Sequence, residues 1–147
     1  MIDKIIFLDF DGCITNYASS FRLNPDKLKL LGKIIEATNC SLVISSTWRN
    51  YDVKTTIEKL SDTLDYYNNG ITFPFCDKIV GVTDRISQGR RGIEIAKWLK
   101  DNKFTGKYVI LDDVDEMLEE QKPYFIQTDL WEGLTDTDVE KAIKILQ

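Results

Sequence analysis

The sequence predicts an α/β fold, a three-layer, doubly wound, Rossmann-like sheet that is mainly parallel. Short apolar runs at residues 5–8, 41–44 and 108–111 read as strands buried on both faces. The stretches between them carry apolar residues at helical spacing. Each run also stops abruptly in carboxylates or hydroxyls: Asp9 and Asp11, Ser45 and Ser46, Asp112 and Asp113. Apolar strands alternating with amphipathic helices build a parallel sheet, and the carboxyl ends of its strands lie on one edge.

The chain opens with KIIFLDFDGCIT at residues 4–15. Two carboxylates at i and i+2 on an extended chain point the same way. Asp9 and Asp11 should thus leave the strand together, with Gly12 turning the backbone away. Residues 16–22 are polar and irregular. Asn24 then Pro25 reads as an N-cap and a first helical position, and Leu28, Leu30, Leu31, Ile34 and Ile35 form an apolar stripe as far as Thr38. The strand at 41–44 ends in SSTWR, completing a βαβ unit with parallel strands.

A helix is expected over 52–64, with Val53, Ile57, Leu60 and Leu64 on one face. Asn69-Gly70 marks a turn, and residues 71–75 and 78–82 read as short extended pieces. A loop rich in Gly and Arg at 87–92 enters a helix over 91–101 with Ile95, Trp98 and Leu99 inward. The strand at 108–111 is followed by another at 124–127. Thr135 and Asp138 make a capping box for a last helix carrying Val139, Ile143 and Leu146. Residues 1–147 are expected to form one domain.

Composition removes several chemistries. The chain has no histidine, which excludes Ser-His-Asp and Cys-His triads, histidine bases and histidine metal sites. Its three cysteines, Cys13, Cys40 and Cys76, are widely spaced and form no CxxC pair, so they read as small hydrophobes in a reducing compartment. None has an arginine at the spacing of a cysteine-phosphatase loop. The net charge of −5 argues against broad, sequence-blind nucleic-acid binding, though not against a local basic rim. No apolar run approaches a membrane span, and the start lacks a basic, then apolar leader, so a cytoplasmic location is expected.

Paired carboxylates are electrostatically costly and either share a proton or hold a cation. One chemistry uses both outcomes. Asp9 would be the nucleophile on phosphorus and Asp11 the acid that protonates the leaving oxygen and later activates water. Mg²⁺ prefers hard oxygen ligands, which Asp9, Asp112 or Asp113, and the backbone carbonyl of Asp11 would supply. Ser45, Ser46 and the turn at Gly12 would surround the phosphate, and Arg91 would complete the clamp. Each piece also has a plainer reading. The serines could cap a helix, the Asp pair could be a solvated acidic turn, and Arg90-Arg91 a surface pair. Trp48 and Arg49 could pack or line the site.

The order and placement of these motifs resemble the haloacid dehalogenase (HAD) superfamily of aspartate-nucleophile phosphohydrolases. The four HAD motifs would be Asp9-Phe10-Asp11-Gly12, Ser45, Arg91 (where many relatives have lysine) and Asp112-Asp113. More narrowly, SSTWR, RGIEIAKWL, LDDVDEM and QTDLWEGLT resemble a HAD branch found as domains in RNA-repair proteins and as standalone proteins. In that branch an acidic residue follows the Asp pair, which would be Glu116, positioning Asp112 or a lysine. The resemblance implies Mg²⁺, a HAD-like fold and a phosphatase.

Residues 12–44 and 50–90 hold too little chain for a full cap domain, so the site should be open. An open site suits a phosphorylated nucleic-acid end or another large phosphomonoester. A small metabolite or nucleotide closed over by a second subunit, a phosphotransferase, and a non-catalytic Mg²⁺ and phosphate-binding module in a larger assembly are the alternatives. No membrane partner is expected, and nothing in the sequence calls for an oligomer.

Overall fold

The computed structural model describes residues 2–46, 48–49, 52–86 and 90–147. Five strands form one sheet: β1 (Lys4–Leu8), β2 (Ser41–Ile44), β3 (Ile79–Val82), β4 (Lys107–Asp112) and β5 (Phe125–Gln127). Their order is β3-β2-β1-β4-β5 and every pairing is parallel. The order reverses between β1 and β4, and the crevice beyond the strand ends at such a switch point is where open α/β sheets hold ligands.

Helices cover both faces, and strand parity assigns residues to each. Ile6, Leu8, Leu42, Ile44, Val109 and Leu111 pack against α1 (Pro25–Thr38) and α4 (Asp136–Leu146), with Leu60 of α2 (Val53–Ser61) in the same cluster. Ile5, Phe7, Val43 and Ile110 face the other way, onto Ile95 of α3 (Arg91–Asp101). There Phe7 meets Trp98 edge-on with ring centroids 5.6 Å apart. Because both faces are buried, β1 reads as an unbroken apolar run.

Local chemistry sets most helix ends as the sequence predicts. Asn24 caps α1 with Pro25 at the first turn, and its side chain accepts from the Asp26 N–H at 2.9 Å. Thr135 and Asp138 cap α4 reciprocally, at 3.2 and 3.0 Å.

Two expectations are corrected. α2 stops at Ser61 rather than 64, and Leu64 is 93 % exposed. The Asn68 side-chain amide donates to the carbonyls of Lys59 and Asp62, taking up the helix's last acceptors, and the Leu64 N–H turns onto the Asp62 carboxylate. Residues 71–75 are not a strand: the Phe73 N–H donates to Leu60 of α2 instead of to a neighbouring strand. Thr47 of the SSTWR segment and residues 87–89 of the Gly- and Arg-rich loop lie outside the described residues. Among the described residues, the chain from 52 to 86 holds α2, short turns and β3, and no separate cap domain.

Candidate active site

Register builds the site. Leu8 lies opposite Ile44 on one side and Leu111 on the other. The next row therefore sets Ser45, Asp9 and Asp112 side by side. Backbone bonds hold that row: Asp9 N–H to Leu111 at 3.0 Å and Ser45 N–H to Leu8 at 2.9 Å. By strand parity these three side chains share the face of Phe7, Val43 and Ile110, the face covered by α3. Arg91, the first residue of α3, reaches into the row.

Its Nη1 lies 3.1 Å from Asp112 Oδ2 and 3.4 Å from Asp9 Oδ1, and also donates to the Ser45 carbonyl. Arg90, by contrast, is exposed. An arginine at a helix start opposes the helix dipole. Glu116 compensates, because its carboxylate accepts from the Arg91 N–H at 3.3 Å and its carbonyl from the Gly92 N–H at 3.2 Å. Glu116 thus holds the backbone that carries Arg91, rather than Asp112. Gly92 permits this approach, since a Cβ there would stand 2.7 Å from the Glu116 carbonyl.

Asp9, Asp112 and Asp113 each offer a carboxylate oxygen, and the three oxygens lie within 4.8 Å of one another. Burial, reinforced by the Asp112 charge, pushes the Asp9 carboxyl well above the ordinary carboxylate range, while Arg91 pulls the other way. Burial likewise raises Asp112, with Arg91 and the Val114 N–H opposing. One guanidinium does not balance three carboxylates. A small, hard cation with oxygen preference fits this donor set. Gly12 brings Asp113 in: at φ 77° it turns the chain so tightly that a Cβ would lie 2.8 Å from that of Asp113.

Asp11 is turned away from the trio. Its Oδ1 accepts from Trp48 Nε1 at 3.1 Å and from Thr15 Oγ1 at 3.3 Å. Burial raises its carboxyl above the ordinary value, and the two donors partly offset that. It still lines the crevice of about 300 Å³ formed with Asp9, Arg91, Asp112, Asp113 and Glu116. Ser45 Oγ is buried beside Asp9 in the row and has no hydrogen-bond partner among the described residues. Buried hydroxyls without partners are uncommon and require a reason.

Two sequence candidates serve the frame instead. Ser46 is fully buried and its Oγ accepts from the Trp48 N–H at 3.2 Å, shaping the turn after β2. Arg49 is also buried: its Nη2 pairs with Glu94 at 3.0 Å, and its Nε and Nη1 donate to the carbonyls of Thr83 and Ser46. Both point away from the crevice because the strand's last turn needs their bonds. Sequence reading left Trp48 between packing and site. It does both, lying against Phe10 while bonding Asp11. Glu94 was missed. Its signal was a carboxylate among the inward apolar positions of α3.

A parallel α/β sheet with an Asp-x-Asp-Gly strand end, a buried strand-end serine, a helix-start arginine and a strand-end acidic pair defines a HAD-type domain. The family model described as the HAD domain in Swiss Army Knife RNA repair proteins matches residues 5–139, and the chain belongs to that family. No curated protein and no solved structure matches. Among the described residues, no helix is long and apolar enough to cross a membrane.

Proposed function

We propose that the chain is a Mg²⁺-dependent phosphohydrolase, acting as a single domain with Asp9 as nucleophile. Membership of a HAD family supports a hydrolase-type role. The observation that carries the finer reading is the row of Ser45, Asp9 and Asp112 with Arg91 inserted from α3.

In this reading Arg91 and the unpartnered Ser45 hydroxyl bind the phosphate oxygens and orient the ester over Asp9. Asp9 attacks phosphorus, and the bond to the leaving oxygen breaks as Asp11 gives that oxygen its proton. Trp48 and Thr15 both bond Asp11 Oδ1, which leaves Oδ2 to carry the proton. Asp11 then takes a proton from water, the hydroxide displaces Asp9 from the aspartyl-phosphate, and phosphate leaves with Asp9 restored as carboxylate and Asp11 as acid. Asp9, Asp112, Asp113 and the Asp11 carbonyl would hold Mg²⁺, which when bound neutralises the repulsion between carboxylate and phosphate. The substrate is a phosphomonoester on a large group, a nucleic-acid end foremost, because no cap domain encloses the crevice.

The test is phosphate release with and without Mg²⁺, on acetyl phosphate and on 5′- and 3′-phosphorylated oligonucleotides, for the natural chain and Asp9→Asn. Metal-dependent release that falls by at least about 10⁴-fold in Asp9→Asn is expected. Turnover retained in a folded Asp9→Asn protein would remove the nucleophile assignment. Binding of Mg²⁺ and phosphate without turnover would favour a binding module.

A further inference from the structure

Asp11 stands at a boundary. On one side is the acidic crevice, and on the other a second cavity of about 510 Å³, lined by Asp11, Phe21, Trp48, Lys59, Tyr67 and Leu130. Nothing in the phosphohydrolase mechanism uses this cavity. A leaving oxygen that takes its proton from Asp11 nevertheless opens into it, so its walls meet whatever that oxygen carries.

Those walls are aromatic and come from separate parts of the chain. Phe21 and Leu130 form one side, brought together because the Asn16 amide donates to the Glu132 carbonyl and the Tyr17 N–H to the Trp131 carbonyl. Trp48 and Tyr67, with ring centroids 5.8 Å apart, form the other. Around the rim, Trp131 meets Tyr17 at 5.1 Å and Phe21 at 6.0 Å, while Tyr66 meets Tyr67 at 5.3 Å. Tyr17, Tyr66, Tyr67 and Trp131 are all more than half exposed. Such a concentration of uncovered rings is costly in water, and contiguous exposed apolar surface marks a binding site.

Backbone geometry adds an independent observation. Ser20 and Phe21 have φ of 54° and 56°, consecutive left-handed residues without a glycine between them. A bulky side chain rarely adopts that region, and such outliers concentrate where a side chain must be presented in one place. The Asn16 carbonyl holds Phe21 there, accepting its N–H at 2.8 Å.

Charge narrows the ligand. Lys59 lies in the cavity wall, and the Arg22 guanidinium sits 4.9 Å from the Tyr66 ring centre with a buried Nε that has no hydrogen-bond partner. In an acidic protein these cations beside clustered, edge-on and tilted rings favour a flat ring that comes with negative charge. Nucleotides offer that combination, and aromatic side chains bind unpaired bases by stacking with little regard to sequence.

We propose that this cavity is the leaving-group subsite and takes an unpaired nucleobase of the nucleotide whose phosphate is removed, with Phe21 and Tyr67 as stacking residues. The proposal rests on the phosphohydrolase reading for its direction, but its test does not. First, kcat/KM is compared on short phosphorylated single strands with a normal or an abasic terminal residue, and on acetyl phosphate, which has no ring. Removing the base is expected to cost roughly tenfold to a hundredfold, the range for one stacked base. Phe21→Ala and Tyr67→Leu, each shown to be folded by circular dichroism, should lose a similar factor on the base-bearing strand and stay within about twofold on acetyl phosphate. Equal kcat/KM for base-bearing and abasic ends overturns the subsite, as does an equal loss on acetyl phosphate.

Second, the natural chain is titrated with a nucleoside monophosphate and with ribose 5-phosphate, following fluorescence of Trp48 and Trp131. Quenching by the nucleotide alone, weakened in both variants, supports the subsite even if no substrate turns over. Identical responses to the two ligands overturn it. Absence of Asp9-dependent release from acetyl phosphate would count against the phosphohydrolase reading, and the titration alone would then decide the subsite.

Discussion

Arg49 and Glu94 are buried only one helical turn from Arg91 and its three carboxylates, yet the two groups balance their charges differently. In the first, one cation meets one anion and both heads are otherwise bonded: Arg49 to the carbonyls of Thr83 and Ser46, Glu94 to the Ile86 N–H. In the second, Asp9, Asp112 and Asp113 crowd one guanidinium, and Ser45 Oγ is unpartnered. Arg91 Nε lies 3.9 Å from Glu94, so the groups touch. Burial costs a charge its hydration, and the first group returns more of it within the protein than the second. A balanced pair locks the turn after β2 to α3. The unbalanced cluster leaves attraction unspent for a cation and an oxyanion.

The largest effect is expected from breaking the balanced pair. Arg49→Met strands the Glu94 charge and should destabilise the fold by about 3–5 kcal/mol, read as a lower urea midpoint. Arg49→Met with Glu94→Leu should recover most of that loss, since replacing both partners leaves no buried charge alone. A single variant as stable as the natural chain would mean that the pair is not holding the turn. In the unbalanced cluster the same type of change should act oppositely, with Asp9→Asn abolishing turnover while leaving the unliganded fold at least as stable.

This contrast was only partly visible in the sequence. The sheet was legible because strands buried on both faces leave unbroken apolar runs, and those runs end in the residues that form the Ser45, Asp9 and Asp112 row. Which of Arg90 and Arg91 enters the site was not, because that depends on where Glu116 caps α3. Glu94 was missed because its partner, Arg49, stands 45 residues away. The Trp48 bond to Asp11 spans 37 residues, and the aromatic cavity is assembled from loops at 21, 67 and 130. Local periodicity carries no record of such pairings. Leu64 failed for the opposite reason: the pattern continued, but Asn68 had already taken the helix's last carbonyls.

A smaller effect isolates the crowding itself. Asp113 contributes repulsion to both Asp9 and Asp112, has no bond to Arg91 and is only half-buried. Asp113→Asn keeps its shape against Gly12 and removes one negative charge. The unliganded protein should gain about 1 kcal/mol, the scale of a like-charge contact near the surface, while the Tm increase produced by Mg²⁺ shrinks. A loss of stability without metal would show that the cluster is not crowded.

A change of pH tests the same crowding. Asp9 and Asp112 titrate near 3.8 when unperturbed and higher in the folded chain. For an acid with a raised folded value, the folded state holds its proton longer. The associated stability is full below the unfolded value near 3.8 and is lost progressively as pH rises from there toward the folded values. From about pH 4 the metal-free protein should therefore lose stability, read as a falling Tm, until about pH 6 for the Asp112 share and about pH 10 for the Asp9 share. Mg²⁺ binds the ionised carboxylates, so its stabilising shift should grow over the same interval. Other groups also titrate there, and Asp9→Asn separates them. The pH slope attributable to the cluster is the difference between the natural and variant curves, and it should shrink when Mg²⁺ is saturating. Parallel curves for the two proteins would show that Asp9 contributes none of the pH dependence.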